Sequence, residues 1–98
     1  MTHLLRGATS AATGGPISNR GGARTFQAVV TGSGALTATV EVEVSNNGAH
    51  FLSLGTIEMT GTGAATDGFA ADAPWLFLRA RVTAISGTGA SVDVIAGS

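Results

Sequence analysis

The chain reads as an all-β protein, an antiparallel β-sandwich or barrel behind an extended N-terminal arm. Three observations predict this. Apolar and polar residues alternate with period 2 in several separate stretches. Gly-rich turns interrupt these stretches roughly every eight to twelve residues. No segment keeps a helical period over about ten residues, the length needed to identify a helix.

Residues 1–23 are rich in Gly, Ala, Ser and Thr and hold no sustained period. They are expected as a flexible or extended arm, and residues 24–98 as a single β-sandwich domain. Within the arm, His3-Leu4-Leu5-Arg6 has the pattern of a short strand that adds to a neighbouring subunit.

The first strand is expected from Arg24 to Thr31, with Phe26, Ala28 and Val30 on one face, ending at a Gly32-Ser33-Gly34 turn. The next has the cleanest alternation, Leu36, Ala38, Val40, Val42 and Val44 against Thr37, Thr39, Glu41, Glu43 and Ser45. That pattern suits a strand packed on one side and solvated on the other. Ser45-Asn46-Asn47-Gly48 follows as a hairpin turn, since Asn-Gly readily adopts the positive φ of tight turns.

From Phe51 to Thr60 the apolar phase slips from Leu52 and Leu54 to Ile57 and Met59, which predicts a β-bulge or bend at Gly55. Gly61-Thr62-Gly63 turns, and residues 64–69 are expected as a short edge strand. The strongest stretch is 72–85, opened by Pro74. It places Leu76, Leu78, Ala80, Val82 and Ala84 on one face, and Trp75, Phe77, Arg79, Arg81 and Thr83 on the other. Gly87-Thr88-Gly89 turns into a last strand with Val92, Val94 and Ala96 on one face.

Composition narrows the function. Charged residues are 11% of the chain against the ~25% usual in soluble domains. The net charge is −1, and all five basic residues are Arg. This is not the basic footprint of a nucleic-acid binder. No stretch approaches the ~20 apolar residues of a membrane-spanning helix, and the N-terminus lacks the apolar core of a signal peptide. There is no Cys, hence no disulfide framework. A core built largely of Ala and Val buries little area per residue, and ordering costs of ~1.5 kcal/mol per residue nearly cancel its gain. Such a chain is expected to draw stability from a partner surface, as an oligomer or assembly component.

No catalytic constellation emerges, and the chain is expected not to be an enzyme. His3 and His50 are far apart and lack carboxylates at ligand spacing, so no metal or other cofactor is expected. Asp67 and Asp72 alone make a poor Ca²⁺ loop. Glu41 and Glu43 share a strand face, where cross-strand pairing with Arg79 and Arg81 is favoured over a glycosidase-like role. No Gly-x-Ser-x-Gly elbow is present. Trp75 and Phe77 have three readings: core filling, a contact patch beside Arg79, or stacking against a sugar ring, for which one Trp and no Tyr are thin support.

Two stretches carry a resemblance: Val40-Glu41-Val42-Glu43-Val44-Ser45-Asn46-Asn47-Gly48 with 51–57, and Thr66-Asp67-Gly68-Phe69 with Asp72-Ala73-Pro74-Trp75 through residue 90. Together they span roughly residues 24–96 and leave the arm uncovered. They resemble small capsid decoration, or cement, proteins of tailed bacteriophages. The resemblance implies a jelly-roll β-sandwich that binds major capsid proteins on the virion surface, associates with itself as a dimer or trimer, and assembles in the bacterial cytoplasm. It supplies no catalytic residues. The expected partner contacts are Leu4, Leu5 and Arg6 in the arm, and Trp75, Phe77, Arg79 and Arg81 on the strand. The alternatives are a carbohydrate-binding or host-attachment module of a phage tail or fibre, and a cellular β-sandwich interaction module. Phe51 stands where such proteins more often carry Trp, which counts against sugar stacking.

Overall fold

A computed structural model of the chain describes residues 2–15, 17–18, 23–72 and 75–97. Pro74, expected to open a strand, lies outside these residues, as do positions 19–22 of the leader. The described residues contain six strands and no helix: β1 (Thr2–Ala8), β2 (Ala12–Thr13), β3 (Ile17–Ser18), β4 (Ala23–Ser45), β5 (Leu52–Asp72) and β6 (Phe77–Gly97). They form one antiparallel sheet in the order β1-β6-β4-β5, with β2 and β3 also pairing with β6.

The three long strands are folded double. A straight strand of 23 residues would reach ~75 Å, yet the molecule is 39 Å in its longest dimension. The bends fall at Gly32–Gly34, Gly61–Gly63 and Gly87–Gly89, which lie at one level of the sheet. Ser33 pairs with Thr88, and the β4–β5 register jumps between Thr31 and Ala35, opposite Ala64 and Thr62. The sequence predicts turns between separate strands at these triplets; instead each strand runs through its triplet and rounds a corner, where the ladder is interrupted. Gly87 shows why Gly is needed there. Its φ is 130°, and a Cβ would collide with the Leu36 side chain.

Folding double brings the halves of each strand face to face. Phe69, in the second half of β5, lies against Gly55 in the first half, where a Cβ would stand 2.6 Å from the ring. Phe69 also stacks on Phe26, with centroids 5.1 Å apart. The alternating residues of the sequence pattern fill the space between: Phe26, Ala28, Val30, Leu36, Val40, Val42, Val44, Leu78, Val82, Val92 and Val94 are almost fully buried. The phase slip at Gly55 is a bulge. Val42 pairs with Gly55 and Glu43 with Ser53, leaving Leu54 extra.

A second bulge was not foreseen. Thr39 pairs with Ala84 and Val40 with Val82, so Thr83 is the extra residue, and its hydroxyl donates to the Thr39 carbonyl at 3.3 Å. The slip reverses the faces beyond it. Ala84, expected inside, is exposed, and Ile85 packs on the core.

The N-terminal residues run along the chain's own sheet. β1 pairs with residues 92–96 of β6, and Leu4 is buried in the core. β2 and β3 pair with the other half of β6, at Val82 and Arg81, and at Leu78 and Phe77. The Gly14 amide donates to the Ala80 carbonyl at 2.8 Å.

Candidate functional site

The outward face of β4 and β6 carries a charge ladder. The register sets Glu43 opposite Arg79 and Glu41 opposite Arg81. Arg79 Nε donates to Glu43 Oε1 at 2.7 Å, and Arg81 Nη2 to Glu41 Oε2 at 2.6 Å. Arg81 Nε is 3.7 Å from the second Glu43 oxygen, too far for a hydrogen bond, so this guanidinium nitrogen is buried in the field of Glu43 without a bonded acceptor. The Arg81 guanidinium is held further above its already high pKa, first by the hydrogen bond to Glu41, then by the charges of Glu43 and Glu41. Two carboxylates thus neutralise two guanidiniums. The cross-strand pairing favoured from sequence is the arrangement present.

Although Glu43 is on the outward face, its side chain is only 9% exposed. Its partner Arg79 has a second contact: the guanidinium Cζ lies 3.9 Å from the centroid of the Phe51 ring. Arg79 is therefore held by a carboxylate and an aromatic face at once. The sequence places Phe51 at a strand start and counts it against sugar stacking, but does not predict its contact with Arg79.

Residues 46–51 form a loop tied by two side chains. The Ser45 hydroxyl accepts from the Asn47 and Gly48 amides at 3.2 and 3.0 Å and donates to Asn47 Oδ1 at 2.9 Å. Asn47 Oδ1 also accepts from the Ala49 and His50 amides, each at 2.9 Å. This corrects the expected Asn-Gly turn: only Gly48 has positive φ, at 72°, and side-chain oxygens satisfy the amides of a longer loop. Phe77 packs on Gly48. His50 is exposed, its Nδ1 3.3 Å from Asn47 Nδ2.

Beside this loop lies the apolar end of the molecule. Among the described residues, the large apolar side chains that stand exposed are Leu52, at 49%, and Leu76, at 57%. Leu52 pairs with Val44 at the end of β4, and the Leu76 amide donates to Asn46 Oδ1 at 3.2 Å. Phe51, Trp75 and Phe77 are half-buried at the same end. Leu76 was expected on the core face with Leu78. The strand begins only at Phe77, so Leu76 lies before the ladder and escapes its alternation.

Of the expected contact residues, Trp75, Phe77, Arg79 and Arg81 fall together on or beside this face. Leu4, Leu5 and Arg6 lie in β1, along a different half of β6; Leu4 is buried, Leu5 half-buried and Arg6 exposed. A shallow cleft of about 390 Å³ between β2 and β6 is lined by Thr13, Arg81, Val82 and Thr83. Among the described residues, no three His, Cys, Asp or Glu side chains gather as metal ligands. The Asp67 carboxylate accepts from the Gly68 amide at 2.8 Å; the Asp72 side chain lies outside the described part.

No protein-family model, curated protein or solved structure matches this chain.

Proposed function

We propose that the protein is a non-enzymatic structural component of a phage virion, which decorates and cements the capsid by binding major capsid proteins. The observation that carries this reading is the neutral apolar end formed by Leu52, Leu76, Phe51, Trp75 and Phe77 on a doubled sheet. Exposed apolar area beside aromatic and Arg side chains is the composition of a protein contact surface. The internally paired Glu41–Arg81 and Glu43–Arg79 ladder leaves little net charge to desolvate when that end is covered.

The strand order supports a jelly roll as the finer fold. Divided at their Gly corners, the long strands give two four-membered layers. One runs β1, 90–97, 23–31, 64–72; the other runs β2 with β3, 77–86, 35–45, 52–62. Such a double-layer arrangement with crossing connections is that of jelly rolls in capsid proteins and lectins alike. The fold by itself therefore does not choose between cement and sugar binding.

Co-sedimentation with capsids assembled from the major capsid protein of the same genome tests the reading. Saturable binding that is lost in a Leu52→Ser, Leu76→Ser variant is expected. A folded protein that ignores such capsids but binds glycans through Trp75 would overturn it in favour of the carbohydrate-binding module.

A further inference from the structure

We propose that the outer edge of β6 over residues 92–96 is a strand-acceptor site, which takes residues 2–8 of a second copy of this chain in place of its own β1. The proposal rests on the self-association that the resemblance to cement proteins implies, and needs no capsid.

Three observations carry it. First, among the described residues β1, β2 and β3 pair with β6 and with no other strand, so these three strands are attached along one line. Second, that attachment is the least regular in the sheet. The β1 register breaks twice within seven residues, between His3 and Leu5 and again between Leu5 and Ala8, whereas between its own breaks β4 keeps nine consecutive pairs with β5 (Ala23 to Thr31) and seven with β6 (Thr25 to Thr31). Third, the site is shaped for this one sequence. At the second break Gly7 adopts φ 59°, and its amide donates to Asp93 Oδ1 at 2.6 Å. Next to it, the site buries Leu4 and Ala8.

An edge that has lost β1 would leave the β6 amides and carbonyls and the Asp93 carboxylate without these partners. A second copy offers the same Leu4, Gly7 and Ala8 in the same order. Exchange therefore restores every contact that opening removes, and only chain entropy separates the closed monomer from the exchanged assembly. Local concentration then decides between them, as it does for any intramolecular contact placed in competition with an intermolecular one.

The chain has no Cys, so an introduced pair forms the only disulfide. His3 and Ile95 are register partners, and Cα atoms ~4.5–5.5 Å apart suit that bond. In the full chain carrying His3→Cys and Ile95→Cys, oxidation at high protein concentration is expected to yield species of twice the chain mass or more. Isotope-labelled and unlabelled chains, mixed before oxidation, are expected to form mixed pairs, and dilution is expected to shift the product to internal bonds. Internal bonds alone at every concentration would overturn the proposal. Should the double variant fail to fold, hydrogen exchange on the unsubstituted chain decides. Amides of 2–8 and 92–96 exchanging at least ~10-fold faster than those of 36–44 support the exchange, and equal protection sinks it.

Discussion

The tip of the Phe69 ring lies against Gly55, two residues of one strand brought together because that strand turns back on itself at Gly61–Gly63. Phe26 packs against the same ring, with centroids 5.1 Å apart. A methyl group at Gly55 has no room unless the ring moves. Gly55→Ala is therefore expected to destabilise by about 1–3 kcal/mol, the usual cost of overpacking. Thermal unfolding reads this as a fall of ~4–8 °C per kcal/mol for a domain of this size. Pairing it with Phe69→Leu should recover part of the loss; a Gly55→Ala protein as stable as the parent would mean that the halves are not pressed together.

The two rungs of the charge ladder are expected to differ in strength. Glu43 is nearly buried and faces both Arg79 and Arg81, whereas the Glu41 and Arg81 side chains are 27% and 43% exposed. Glu43→Gln is expected to cost about 1–2 kcal/mol, less than a fully buried pair because Arg79 still reaches water. Glu41→Gln is expected to cost ~0–1 kcal/mol. Urea midpoints of the two variants check the order, and the reverse order would contradict the burial described above.

Asn47 organises its loop through one oxygen. Asn47→Ala removes the acceptor of the Ala49 and His50 amides and of the Ser45 hydroxyl, and is expected to cost about 1–2 kcal/mol, as loss of a helix cap does. Asn47→Asp keeps the acceptor and is expected to stay close to the parent. Equal losses in both variants, measured by chemical unfolding, would assign the role to the amide nitrogen and its His50 contact instead.

Leu52 and Leu76 contribute little to the fold because water already reaches half of each side chain. Leu52→Ser with Leu76→Ser is expected to leave stability within ~0.5 kcal/mol per site, while binding to assembled capsid protein falls at least ~10-fold, as for a disrupted contact anchor. Calorimetry and sedimentation are to be made on the same preparation. Lost stability with unchanged binding would return both residues to the core.

Much of this was legible beforehand, for a local reason. A strand's side chains alternate with period 2 whatever lies beyond it, so Leu36 to Val44 declared their buried face and Glu41 and Glu43 their outer one. The bulge at Leu54 announced itself because the apolar phase changed within a few residues. The bulge at Thr83 did not. Ala84 and Ile85 are both apolar, and either phase satisfies the pattern until the pairing with Thr39 and Val40 decides it.

From its sequence alone this chain was determined to be an antiparallel β protein whose charges pair across strands and whose core is small and aliphatic. Tertiary structure alone decided that the Gly-rich triplets are corners inside continuous strands, that residues 2–8 lie on β6, and that Phe51 meets the Arg79 guanidinium. The reason is physical. A turn and a corner ask the same positive φ of Gly, and only the long-range ladder on either side tells them apart. Edge strands and cation–aromatic contacts are likewise placed by their partners, which lie far along the chain.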